Sequence, residues 1–500
     1  MKGNLAEPTE VATEAKHSMS ELDAHYYGAE GIARPGRQLK LENLVFKWLH
    51  YPSNIVSTIY EPAPGKDYDS VGIQRAIDKA HASGGGTVSV PAGDYLIGPI
   101  ELRSRVNLHL EPGCRLWASP NLADYQPTSA LPSTAFPFNP AAAKVVVTSP
   151  RRLISAVEAE DVSITGFGQI CAQSPNWVIP WLNSKPSTLD ISRPSHTILF
   201  SRCQNVRIEG IRIVDAPSWG LVFDSCRQVQ IRGVQIRGFD MINCDGIDLV
   251  NTSDVTISDC NLWVTDDGIV LKNFIAGQTM RNIVVTNCVI RTLCNGLKIG
   301  TETVGNVEDV TFSNVVVHNP DDDMKGAEGG VNVCAMDGGL IRNINVSNIV
   351  TRNVDCPVYL VSGHRASRQQ TFRAAQSGRM ERIFVSNIRS DGARYTSFIV
   401  GQPDQPIDYV VLDSIHVRKK ADFYRQLPQK PVPERPEEYP TPFMFGSRGT
   451  GDQLPAHGLY LRHVQRASIR DLRVDCIEPD VRPLCAQENC KDVRIDGASS

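Results

Sequence analysis

The sequence predicts an all-β chain, a single right-handed parallel β-helix with one short helix capping its N-terminal end. Three observations lead there. A short alternating phrase recurs as VSITG at Val162, VRIEG at Val206, VQIRG at Val229 and VTISD at Val255. It continues as IVVTN at Ile283, VTFSN at Val310, INVSN at Ile344, IFVSN at Ile383, VVLDS at Val410 and VRIDG at Val493. The central starts, at residues 206, 229, 255, 283 and 310, are 23, 26, 28 and 27 residues apart. Period-two alternation makes strands, and Asn, Asp, Ser and Gly at the ends of each phrase make corners. No helix-period segment separates the phrases, hairpin dipeptides between them are scarce, and the Leu/Asn spacing of a leucine-rich solenoid is absent. Repeats of 20–30 residues with these features stack as rungs of a β-helix.

The elements follow in order. Residues 1–60 read as an extension held to the body by aromatic clusters, His25-Tyr26-Tyr27 and the stretch from Phe46 to Tyr51. Residues 61–500 form the β-helix. Within Asp69–Ala82, Val71, Ile73, Ala76, Ile77 and Ala80 share most of one helical face, with Ser70 as the expected N-cap. Gly84-Gly85-Gly86 stops this helix, which would cover the open end of the strand stack. The longer gaps from 310 to 344 and from 344 to 383 imply loops inserted into rungs, gathered on one face around a cleft. After Lys420 a proline-rich excursion reads as a surface loop packed on the side of the β-helix.

Composition narrows the function classes. Hydrophobic residues make up 41% of the 500 and charged residues 21%, a globular balance. A net charge of −4 and a pI near 6.3 give no sign of a nucleic-acid or acidic-lipid partner. No stretch approaches the ~20 apolar residues of a membrane helix. The N-terminal residues lack the apolar core of a secretory signal, so the expectation is an intracellular protein or one whose leader has been removed. Thirteen cysteines occur without CxxC pairs or zinc spacing. Cys203, Cys226, Cys260 and Cys288 fall at the same place in the repeat, as buried apolar fillers do.

The chemistry concentrates in Asn243–Lys272. Asp245-Gly-Ile-Asp-Leu aligns with Asp267-Gly-Ile-Val-Leu, with Asn295-Gly-Leu-Lys-Ile and with Gly329-Gly-Val-Asn-Val. Alternation then yields two outward ladders, Asp245–Asp267–Asn295–Gly329 and Asp248–Val270–Lys298–Asn332. Neighbouring rungs lie ~4.8 Å apart, so Asp245 and Asp267 become neighbours with Asp266 beside them. Carboxylates this close cannot all ionise freely. At least one pKa should rise, leaving a protonated acid next to an ionised base. An isolated Asp at a corner, such as Asp161, Asp254 or Asp309, is instead expected only to satisfy turn backbone.

These residues resemble the polygalacturonase-type glycoside hydrolases of family 28. The resemblance runs from about Asp69 to the C-terminus and includes GGGTVSVPAGDYLIGPIEL, ITGFGQI from Ile164, and PSWGL from Pro217. The family's Asn-Thr-Asp motif stands here as Asn243-Cys244-Asp245 and its Asp-Asp motif as Asp266-Asp267. The resemblance implies Asp266 as general acid, Asp245 and Asp267 as the pair activating water, and single-displacement hydrolysis with inversion. The family's Gly-His-Gly is Cys294-Asn295-Gly296 here, and its Arg-Ile-Lys falls on Asn332-Val333-Cys334. The cations that grip a galacturonate carboxylate are therefore missing at those two positions.

Asn243, Lys272, Asn295, Lys298, Glu302, Asn332 and Arg365 are the expected sugar-binding residues. Lys298 lies one rung before Asn332 in the same ladder and would present a cation to the cleft, with Glu302 to hold it or to bind hydroxyls. Arg365 would offer a bidentate fork to a carboxylate. The expected substrate is a pectin-like, acidic or rhamnose-containing glycan, attacked from a chain end if the long loops narrow the groove. Hydrolysis of this kind needs no metal or cofactor. Two other readings stay open: a lyase or epimerase using Ca²⁺, and a silent glycan-binding β-helix.

Overall fold

The computed structural model describes residues 68–125, 151–177, 193–238, 243–319, 327–365, 377–420, 431–437 and 454–500. The N-terminal extension and the loop tips expected after 319 and 365 fall outside these residues. Every strand pairing among the described residues is parallel, in a 21-strand array and a 12-strand sheet. This is the right-handed parallel β-helix expected from the repeat.

The two arrays differ in what they bury. Strands of the larger array alternate, as in Arg227–Arg232, where only Val229 and Ile231 are buried. Strands of the 12-strand sheet are buried on both faces, except the last, Cys485–Glu488. Six of its rungs matter here: β1 (Trp219–Asp224), β2 (Ile247–Val250), β3 (Ile269–Asn273), β4 (Asn295–Thr303), β5 (Ala327–Ala335) and β6 (Val354–Ser362). Their inward ladder, Leu221, Ile247, Ile269, Leu297, Val331 and Val358, is in register rung by rung. All six side chains are sealed in one core. Burying each contributes roughly 1.5–3 kcal/mol, so register is fixed by the interior, and the outward side chains are fixed with it.

Corners are held by stacked polar side chains in left-handed backbone. Asp161, Asp254 and Asp309 all have φ of 54–60°. Each accepts a hydrogen bond from an asparagine of the next rung, Asn205 at 2.6 Å, Asn282 at 2.7 Å and Asn343 at 2.8 Å. Asn and Asp tolerate this region because a short polar side chain can bond locally. These aspartates are structural, as expected of isolated corner acids. The four cysteines of the repeat are buried and free.

The capping helix α1 spans Ser70–Ala82. Two details differ from expectation. Its N-cap is Asp69, not Ser70; Asp69 Oδ2 accepts from Leu96 N at 2.8 Å and makes no cap bond. Ser70 Oγ accepts from Gly98 N at 3.1 Å. The helix start is stitched to the first rungs, and these bonds use the oxygens that would have capped it. Val71 is 59% exposed; the buried face is Ser70, Ile73 and Ile77. The described part of the proline-rich excursion, 431–437, packs on the side of the β-helix as expected. His364 N donates to Pro436 O at 2.6 Å, and Glu434 meets His463 at 2.7 Å.

Candidate active site

The outer face of β1–β6 carries the acids. Asp245 and Asp267 each lie two residues before the inward start of a rung. Gly246 N donates to Asp267 O at 2.9 Å and Gly268 N to Asn295 O at 2.7 Å, which stacks the three side chains in one ladder. Asn295 is in register with Gly329. Asp248, Val270, Lys298 and Asn332 form the second ladder, as the alignment predicts. Asp266 stands beside Asp267 and donates from its backbone to Cys244 O at 3.2 Å. Asn243, at φ 56°, turns its amide onto Asp266 Oδ2 at 3.2 Å.

Two lysines divide the acids between them. Lys272 Nζ lies 3.0 Å from Asp245 Oδ2 and 2.7 Å from Asp248 Oδ1, and 3.5 Å from the centroid of the Trp219 ring. Lys298 Nζ lies 2.8 Å from Asp267 Oδ2, and Asn295 Nδ2 donates to Asp267 Oδ1 at 2.8 Å. Asp245, Asp248, Asp267 and both lysines are at most 5% exposed. Asp245 Oδ1 and Asp248 Oδ2 are buried with no hydrogen-bond partner among the described residues.

The electrostatics split the Asp-Asp pair. Burial, then the charge of Asp267, raises the Asp266 carboxyl above its ordinary range. Burial opposes ionisation of Asp267 too, but Lys298, Lys272 and the Lys298 and Asn295 hydrogen bonds outweigh it and hold that carboxyl low. Asp245 is raised by burial against the pull of Lys272. Asp248 is pushed up to about 7 by the same burial. The carboxylates around Lys272 overcome its desolvation and keep it charged. The two neighbouring carboxyls are thus biased in opposite directions, Asp266 toward its protonated form and Asp267 toward its ionised form, the condition for paired proton transfer.

Glu302 and Arg365 lie against one another at the edge of this group. Lys298 pairs with Asp267, and its charge also acts on Glu302. Arg365, 2% exposed, forks onto Asp337: Nε donates to Oδ1 at 2.9 Å and Nη2 bonds Oδ2. Its Nη1 lies 3.5 Å from Glu302 Oε1, and Arg365 holds the Glu302 carboxyl below its usual range despite burial. The strand register shifts between Leu271 and Asn273, so extending the ladder past Ile299 by simple alternation misplaces Glu302. Asn332 is fully buried and bonds Asn295 and Tyr359.

Four further residues of the site were not assigned from sequence. Asp248 stood in a ladder already drawn and lacked only a reason to meet Lys272. Trp219 lies in the PSWGL phrase. Tyr359 and Asp337 carried no local signal. For a metal, Asp266, Asp267 and Cys294 offer donor atoms within 4.8 Å of one another. The set suits a hard cation poorly. Ca²⁺ takes six to eight oxygens, and this set offers two carboxylates and a soft sulfur.

A parallel β-helix with buried, charge-separated carboxylates on its outer sheet face is an arrangement suited to acid–base chemistry on a saccharide. The family comparison makes that specific: the model of glycosyl hydrolases family 28 matches residues 86–422. The chain belongs to that family. It is 22% identical over 363 residues to a probable polygalacturonase of Vitis vinifera, covering 69% of this chain and 70% of the relative. It is 24% identical over 305 residues to an endo-polygalacturonase of Pectobacterium carotovorum subsp. carotovorum, covering 58% and 70%. The solved structure of a hyperthermoactive exopolygalacturonase from Thermotoga maritima superposes with a TM-score of 0.60 at 21% identity, covering 82% of this chain and 89% of that one.

Proposed function

We propose that this chain hydrolyses a glycosidic bond in a pectin-like acidic or rhamnose-containing glycan, with inversion at the anomeric carbon. The observation that carries the reading is the opposite bias of Asp266 and Asp267 in one buried site. Asp266 is the general acid and gives its proton to the leaving glycosidic oxygen. Asp267, held ionised by Lys298 and Asn295, takes a proton from the attacking water. Asp245 offers Oδ1, its unpartnered oxygen, to orient that water. Water adds at the anomeric carbon as the leaving oxygen departs, so the proton that Asp267 gains from water balances the proton that Asp266 gives to the leaving oxygen.

Lys272, Lys298 and Arg365 are each already paired with a carboxylate. That supports a neutral sugar such as rhamnose next to the scissile bond, with uronate residues further along. Exo-action is part of the proposal and rests on the lengths of the loops after 319 and 365.

The test is a panel of galacturonate, rhamnose–galacturonate and neutral oligosaccharides, read by new reducing ends and by NMR of the first-formed anomer. Inverted product from at least one substrate is expected, and none from Asp266→Asn. A retained anomer, or an unsaturated product absorbing near 232–235 nm, would overturn it.

A further inference from the structure

Asn295 approaches Asp267 with the nitrogen of its amide, and the other end of that amide is enclosed. Asn295 Oδ1 accepts from the Tyr359 hydroxyl at 2.6 Å and from Asn332 Nδ2 at 3.2 Å. Tyr359 in turn accepts from Asn332 Nδ2, so its own proton is the one directed at Asn295. The Asn332 amide is held the same way round because its Nδ2 faces Asn295 Oδ1, which can only accept, while its Oδ1 accepts from the Cys334 thiol. Tyr359 and Asn332 are fully buried, and Asn295 is 2% exposed. A flipped amide would set donor against donor at Tyr359 and oxygen against oxygen at Asp267. Buried groups left unpaired in this way are costly.

A second observation is independent of these bonds. Tyr359 lies two rungs beyond Asn295, and the rung between them carries Gly329 in the Asn295 ladder. The backbone at Gly329 is not left-handed, so no turn demands glycine there. A Cβ at Gly329 would stand 2.6 Å from Asn295 Oδ1 and 2.6 Å from Tyr359 Cε1. The missing side chain is the opening through which the tyrosine reaches.

We propose that Tyr359 is a positioning residue for the hydrolytic base: through the gap at Gly329 it fixes the Asn295 amide so that Nδ2 faces Asp267. Asn332 completes the relay. This rests on the reading of Asp267 as base. The relay contains an amide where the family carries histidine, so it holds its direction without titrating at neutral pH. Burial pushes the Tyr359 hydroxyl well above its ordinary range and keeps its proton in place.

Tyr359→Phe removes the hydroxyl and keeps the ring, which stacks on Phe398 at 5.2 Å. The loss of one oriented hydrogen bond is expected to lower kcat about tenfold with KM little changed. The acidic limb of the pH profile should move upward by roughly half to one unit. Gly329→Ala closes the gap and should give the same two effects. The Asp267 carboxyl is also titrated without substrate, by NMR of ¹³Cγ-labelled aspartate assigned through Asp267→Asn. It should rise in both variants. An unchanged acidic limb and an unchanged Asp267 titration in Tyr359→Phe would overturn the proposal, as would a fall in kcat accompanied only by a lower melting temperature. A wild type inactive on every substrate, with an Asp267 titration that still moves, would reject the hydrolytic reading and leave the positioning role standing.

Discussion

Lys298 Nζ lies 2.8 Å from Asp267 Oδ2, although the two side chains leave the β-helix from successive rungs and separate ladders. Both are at most 3% exposed, so each charge depends on the other. Lys298→Met is expected to cost about 3–5 kcal/mol by stranding a buried carboxylate. Asp267 should then protonate at higher pH, moving the acidic limb of activity upward. Denaturant melts at pH 7 and a pH–rate profile read both effects. In the wild type the low Asp267 value means its contribution is present above the ordinary carboxyl range and is lost as pH falls through the depressed value.

Asp266→Asn and Asp267→Asn should each lower kcat by about 10²–10⁴-fold, as removal of a positioned proton donor or acceptor does. KM should change little in either variant. Steady-state kinetics on any oligosaccharide that the wild type cleaves tests this. Full activity in Asp266→Asn would reassign the acid.

Asp248 gives a stability test that needs no substrate. Its carboxyl is raised to about 7, so the folded state holds a proton there that the unfolded chain loses near pH 4. Stability should therefore fall as pH climbs from about 4 to about 7 through this group. Asp248→Asn should flatten that slope. Thermal melts across this window in both proteins provide the measurement, and an identical slope would exclude Asp248 as its source.

Arg365 is expected to behave as a fold residue. Its fork onto Asp337 is buried, and Thr303 N also donates to Asp337 Oδ2, at 3.1 Å. Arg365→Met should destabilise by about 3–5 kcal/mol, with KM unchanged for the fraction that stays folded. A large rise in KM at unchanged stability would return Arg365 to substrate binding.

What the sequence revealed follows from the repeat. Period-two alternation and the DGIDL, DGIVL and NGLKI phrases were enough to place Asp245, Asp267 and Asn295 in one ladder, and Asp248, Lys298 and Asn332 in the other. Such placements need only the rung register, which the core sets. Partner choice needed more. Lys298 crosses from its own ladder to Asp267 in the ladder beside it, on the rung before, which alternation alone does not announce. Tyr359 reaches Asn295 across an intervening rung because Gly329 lacks a side chain, and one glycine among 38 carries no such message in sequence. Arg365 read as a candidate for carboxylate recognition. It does fork a carboxylate, but one supplied by Asp337 of its own chain.

The strict alternation of the outer sheet also sets which changes of chain length the site tolerates. A residue inserted between Asn273 and Thr279 only enlarges a connection, and the acids keep their places. One inserted between Ile269 and Lys272 would carry Lys272 toward the interior and a leucine out, stripping Asp245 and Asp248 of their shared cation. Lineages of this scaffold are thus free to reshape what enters the groove by lengthening connections, while the strands beneath accept substitution and refuse insertion.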